Sequence, residues 1–78
     1  MDIIIGGIYK HYKGNRYLVI ATATHSETLE PMVVYKALYG DGGVWVRPYH
    51  MWNEPVETDN GTVPRFAYTG ENSKWEQI

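Results

Sequence analysis

The stretch "GIYKHYKGNRYLVIATAT", residues 7–24, decides the fold. Its first part alternates, with Ile8, Lys10 and Tyr12 on one side and Tyr9, His11 and Lys13 on the other, the period-2 pattern of a strand. Gly14 and Asn15 then take up turn conformations at low cost, and "RYLVIATAT" resumes a run rich in β-branched and aromatic residues. Strand, tight turn and strand predict a hairpin. In the second run Tyr17, Val19, Ala21 and Ala23 share one face and Leu18, Ile20, Thr22 and Thr24 the other. Both faces carry apolar groups, so this strand is expected to be partly covered on each side.

Working outward, "HSETLEP" (25–31) breaks the β pattern, because Ser26 and Thr28 can cap a short turn and Pro31 disfavours helix for Glu30 before it. It is expected to be a polar corner between strands. "MVVYKALYG" (32–40) restarts the strand pattern, "GDGG" reaches positive φ at little steric cost, and "VWVRP" (44–48) returns antiparallel. Pro48 presets φ for one helical turn that carries Met51 and Trp52, and Pro55 ends it. "VETDNGTVPRFAY" (56–68) reads as a last hairpin turned at Asn60-Gly61, with Pro64 at an edge or a strand start. The following "TGENSKWEQI" has turn residues and then Trp75 and Ile78, which can dock or lie free.

These elements predict a single all-β domain over residues 1–78, with a β core at 6–66 and a tail at 67–78. The architecture expected is small and SH3-like: a strongly bent antiparallel sheet or barrel of about five strands with one short helical turn. Closure into a barrel would remove exposed edges and use the glycines as kinks.

Composition narrows the function. The chain has no cysteine, which excludes a disulfide framework and a thiolate zinc site and suits a reducing compartment. "MDIIIGG" is too short for a signal core and carries an acid where a signal would be basic, and nowhere do eighteen apolar residues run together. A soluble, cytoplasmic protein with no membrane contact is expected. Seven Lys and Arg against nine Asp and Glu give a net charge of -2, so the long-range pull toward a polyphosphate backbone is missing and general DNA or RNA binding is not expected.

The strings "GIYKHYKGNRY", "HSETLEPMVVYKALYG", "VWVRPYHMW" and "VPRF" resemble the short bacterial and phage proteins grouped as domain of unknown function 1653. The resemblance covers residues 6–66 with nearly the same spacing, and it rests on many fixed aromatic, Pro and Arg positions. It implies a compact β-rich domain, often encoded alone, and no assigned activity. The sequence departs from the family at Trp52, where such proteins often carry Phe, and in the tail after Phe66.

The candidate chemistry sits at the corner and on the fourth strand. His25 and Ser26 suggest a nucleophile and a base, but neighbours in extended chain point to opposite faces, so the plainer expectation is that both bond backbone groups of the turn. Glu27 and Glu30 could form an acid and base pair, or be solvated, or pair with Arg47. Arg47, between Trp45 and Pro48, has a direction fixed by its backbone and is either presented to a carboxylate or phosphate or locked to Glu27 or Glu30. His11, His25 and His50 lack metal-ligand spacing, so no metal is expected. Neither "GDGG" nor "IIIGGIY" opens a helical pattern, which excludes a phosphate loop or dinucleotide fold, and no cofactor is expected.

The aromatics suggest a surface. Tyr9, Tyr12, Tyr17, Tyr35, Tyr39, Trp45, Tyr49 and Trp52 exceed what one small core can bury, and Tyr or Trp beside an Arg suits a planar, anionic ligand. The alternative is that they pack over the ends of the sheet. Three function classes stay open. The first is a non-enzymatic module binding a small anionic or nucleotide-like ligand through His25, Ser26, Glu27, Thr28, Tyr35, Tyr39, Trp45 and Arg47, at a subunit interface or within one chain. Since the resemblance extends to phage proteins, one form of it is a sponge for a nucleotide-like defence signal, of cyclic nucleotide or ADP-ribose type. The second is an SH3-like adaptor for a peptide or protein, and the third a small hydrolase using His25 and Glu27. The exposed aromatics are compatible with a homodimer or higher oligomer.

Overall fold

The computed structural model describes residues 3–74. Its strands are β1 (Gly7–His11), β2 (Arg16–Thr24), β3 (Pro31–Ala37), β4 (Val44–Pro48), β5 (Pro55–Thr58), β6 (Gly61–Pro64) and β7 (Phe66–Asn72). The one helical element among the described residues is a 3₁₀ turn at Tyr49–Met51, following Pro48 as expected. The protein is all-β. An antiparallel sheet of five strands runs in the order β4-β3-β2-β1-β7, and β5 pairs with β6 in a separate hairpin.

The first hairpin closes as read. The Asn15 carbonyl accepts from the His11 N–H at 2.7 Å and the His11 carbonyl from the Gly14 N–H at 2.7 Å, so the turn satisfies its own backbone. The last hairpin turns at Asn60-Gly61, with the Thr58 hydroxyl donating to the Gly61 carbonyl at 2.7 Å. Its returning strand, however, stops at Pro64. Phe66 onward pairs elsewhere, because β1 has a free edge that β7 fills with the register Tyr9↔Tyr68 and His11↔Phe66. Residues 67–72, expected to start the tail, are therefore most of β7. Thr69 bonds the Ile8 carbonyl at 2.8 Å, and Glu71 pairs with Arg16 at 2.8 Å. Trp75 and Ile78 lie outside the described residues.

Of the two architectures expected, sheet and barrel, the ladders make the sheet. Its order is linear, with β4 and β7 as edges and no described ladder joining them. The alternation expected along β2 is broken once. A bulge between Val19 and Ala21 inserts Ile20, so Val19 opposes Tyr35 while Ala21 opposes Val34. Register then sorts the side chains. Tyr9, His11, Tyr17, Val19, Val33, Tyr35, Trp45, Arg47, Phe66 and Tyr68 share one face.

The core lies on that face. Tyr9, Val19, Val33, Tyr35, Trp52 and Phe66 form one buried cluster, to which the 3₁₀ turn delivers Trp52. Trp52 stacks on Phe66 with centroids 3.9 Å apart, while Tyr9 and Tyr35 meet the indole edge-on at 5.4 and 5.0 Å. Edge-to-face pairs of this kind are worth about 0.5–1.5 kcal/mol each beyond area burial. So few residues form this cluster because four of its six members are rings.

Candidate functional site

The polar corner is a self-contained turn. His25 donates its N–H to the Glu30 carbonyl at 2.8 Å and accepts at its own carbonyl from the Leu29 N–H at 2.9 Å. Its imidazole Nδ1 accepts from the backbone N–H groups of Glu27 and Thr28 at 3.1 and 3.3 Å, and the Thr28 hydroxyl accepts from the Glu30 N–H at 3.2 Å. An Nδ1 that accepts two donors leaves the proton of the neutral ring on Nε2, so the acceptor nitrogen of His25 is engaged by the backbone of its own turn. Ser26 and Glu27 are exposed. Leu29 takes φ 63 and is 73% exposed, a left-handed conformation that costs a branched side chain on the order of 1 kcal/mol.

Arg47 does not join this corner. Through the register Val33↔Arg47 it stands near the same end of the sheet, yet its guanidinium lies over the Phe66 ring at 5.5 Å. Glu30 reaches His50 of the 3₁₀ turn instead, at a loose 3.9 Å. No described carboxylate pairs with Arg47, and its Nε is buried without a hydrogen-bond partner. A buried, unbonded donor of a charged group costs about 1–3 kcal/mol or more, so such a guanidinium calls for an anion or water.

Around Arg47 the face gathers further groups. His11 packs edge-on against Phe66 at 4.9 Å, and Tyr17 meets Phe66 and Tyr35 at 5.6 and 5.3 Å. Arg65 pairs with Glu54 at 3.0 Å but also keeps a buried, unbonded Nε. Burial first, then the charges of Arg47, Arg65 and Lys13, hold the His11 imidazolium below its usual pKa of 6.5. Three cations thus act on His11 although the net charge of the chain is -2. The Tyr17 hydroxyl shares a hydrogen bond with Tyr39 at 2.9 Å, and its pKa is pushed up to about 12 by burial and then by that bond. Trp45, opposite Tyr35, is 59% exposed, and its indole folds back toward Gly43, where a Cβ would stand 3.2 Å from Nε1. A groove of about 340 Å³ opens beside His11, lined by Lys10, Tyr12, Val63, Pro64 and Ala67.

Of the residues singled out from sequence, Tyr35, Tyr39, Trp45 and Arg47 thus share one face, whereas His25, Ser26, Glu27 and Thr28 form the separate turn. His11, Tyr17, Arg65 and Phe66 were missed as site residues. The signal for His11 and Phe66 is their pairing across β1 and β7, which no local pattern announces. Among the described residues no cluster of three His, Asp or Glu could hold a metal, and no helix is long and apolar enough to cross a membrane.

The charge at His11 gives a direct check on this geometry. Its folded pKa is depressed, so neutral His11 contributes stability above pH 6.5, and that contribution is lost as pH falls through the lowered value. Arg47→Ala removes one of the causes, and the His11 ring titration followed by NMR is expected to move up toward 6.5. An unchanged titration would show that the two side chains do not share a site.

A small all-β protein, with a five-stranded antiparallel sheet carrying rings and an unpaired arginine on one face, is the class defined so far. The family of proteins of unknown function DUF1653 matches residues 7–68, and the chain belongs to it. It is similar to a crystal structure of a DUF1653 protein from Bordetella bronchiseptica, at 43% identity and a TM-score of 0.80, covering 90% of this chain and 92% of that one. No curated protein matches.

Proposed function

We propose that this protein is a non-enzymatic, cytoplasmic binding module that takes a small anion bearing a planar group, a nucleotide-like ligand, on the ring-lined face of its sheet. Arg47 would grip the anion, with Arg65 adding positive potential, and Trp45 and Tyr39 would flank the planar part above the floor of Tyr17, Tyr35 and Phe66. The observation that carries the reading is the Arg47 guanidinium, laid on Phe66, with a buried Nε and no described carboxylate partner. A charge without a counter-charge is stabilised most by a ligand that supplies one. Phosphate does so, and a nucleobase also finds exposed rings on which to stack.

The Tyr17 hydroxyl on this face is bonded to another tyrosine and hard to ionise, so it is no ready nucleophile. The ligand should therefore leave unchanged. Titration of the purified protein with a panel of mononucleotides, cyclic dinucleotides and ADP-ribose, followed by calorimetry, is expected to show binding that weakens about 10- to 100-fold in Arg47→Ala, the loss of a charge-assisted contact. Ligand recovered by heating is expected intact, as the sponge form requires. Absence of heat and of thermal shift with every member of the panel overturns the reading, and altered products would convert it to an enzyme.

A further inference from the structure

The strand that carries Arg47 is also an open edge. In the β3–β4 ladder the Ala37 N–H bonds the Gly43 carbonyl at 2.9 Å, which sets the phase: Gly43, Trp45 and Arg47 turn their backbone groups toward β3. Val44 and Val46 therefore direct N–H and C=O outward, as does the Pro48 carbonyl. Their side chains are also uncovered, with Val44, Trp45 and Val46 at 51, 59 and 60% exposure. The opposite edge is interrupted, since β7 contains Gly70 at φ 88 and the charged Glu71. β4 has no such protection: its one charge, on Arg47, lies over Phe66.

We propose that two copies of this chain join edge to edge through β4, antiparallel about a dyad at Val46, and that this pairing completes the ligand site. Val46 of each copy then bonds Val46 of the other in both directions, and each Val44 N–H donates to the partner's Pro48 carbonyl. Pro48 has no N–H to leave unpaired. This register sets the partner's Trp45 opposite Arg47 as a non-hydrogen-bonded pair, the closest side-chain approach in an antiparallel ladder. With its indole turned from Gly43 toward the ladder, each Trp45 would cover the partner's guanidinium on the side away from Phe66, leaving its edge for an anion. Three other registers are weaker. A dyad at Arg47 sets like charges opposite each other, and one at Val44 needs Gly42, whose φ of 67 and bond to the Tyr39 carbonyl hold it out of a strand. A dyad at Trp45 leaves Arg47 against Gly43 with no partner for its charge.

The functional half of this inference rests on the proposed ligand site, so the two are read separately. Sedimentation of the full chain is expected to give twice its 9.0 kDa mass, and Val46→Lys, at an exposed position, a folded monomer. Because the chain has no cysteine, Val46→Cys offers one thiol, and oxidation is expected to cross-link it to itself. A monomeric wild type overturns the pairing, and cross-links found only in mixtures of Val44→Cys with Val46→Cys overturn the register. The Val46→Lys monomer is expected to bind nucleotide about 10-fold more weakly. Equal affinity in monomer and dimer overturns completion of the site, whereas a wild-type dimer that binds no nucleotide overturns both the proposed function and completion, leaving the pairing itself upheld.

Discussion

Trp52→Ala is expected to cost about 3–5 kcal/mol, enough to leave much of the chain unfolded at room temperature. The indole is fully buried and is held by three rings: Phe66 lies flat against it at 3.9 Å, and Tyr9 and Tyr35 come at its edges. Those rings belong to β1, β3 and β7, so the side chain ties strands from the middle and one edge of the sheet to the 3₁₀ turn. No other described residue fills that place. A core of so few side chains has little capacity to collapse around the cavity, and small domains hold the lowest reserve of stability. Trp52→Phe is a different experiment. The indole Nε1 is buried without a partner, so a phenyl ring gives up some stacked area but also removes an unsatisfied donor worth about 1–3 kcal/mol. Its expected cost is within about 1.5 kcal/mol. Urea melts of the two variants check the pair, and a loss below 1 kcal/mol for the alanine would mean that Trp52 is not the keystone of this cluster.

What the sequence reveals and hides follows from how local each feature is. The turns at Gly14-Asn15 and Asn60-Gly61 are written in two or three residues, and so is the helical turn after Pro48, because each depends on backbone preferences of its own members. β7 is not. Gly70, Glu71 and Asn72 look like the start of a loop, and they become strand only because β1 presents a free edge more than fifty positions earlier in the chain. The site inherits that blindness. Arg47 is recognisable by its place between Trp45 and Pro48, but the ring it lies over is on β7, and without β7 the acids of the polar corner, Glu27 and Glu30, are its obvious partners. His25 was read beside Ser26 as chemistry or as turn, and the two backbone donors on its Nδ1 place it in the turn. The bulge at Ile20 leaves no trace in a run of alternating residues, yet it brings Thr22 and Thr24, rather than Ala21 and Ala23, onto the face of Val19 and Val33.

Gly7→Val is expected to destabilise the fold by about 2–3 kcal/mol, and the reason connects the amino-terminal arm to the ligand face. Gly6 donates its N–H to the Val19 carbonyl at 2.8 Å and accepts at its carbonyl from the Ser73 N–H at 2.8 Å, in a conformation of φ 84 that favours glycine. It bridges β2 and the chain that leaves β7. Gly7 follows at the point where the β1–β7 register shifts, and a Cβ there would stand 2.9 Å from the Ile4 carbonyl and 3.1 Å from the Tyr68 ring. The carbonyl is backbone and cannot swing away as a side chain could. Either the arm lifts or β7 moves, and each breaks something specific: the arm carries the Ile4 N–H that donates to the Tyr9 hydroxyl at 3.0 Å, and β7 carries Phe66 under Arg47. Tyr9 is buried against Trp52, so displacement of its ring disturbs the same cluster that Trp52→Ala empties. The doublet Gly6-Gly7 is thus a close crossing of backbones between the amino-terminal arm, β2 and β7. Chemical denaturation with tryptophan fluorescence as the signal measures the effect, and a Gly7→Val protein within 0.5 kcal/mol of the parent would show that the arm yields freely and that Tyr9 takes its position from the sheet alone.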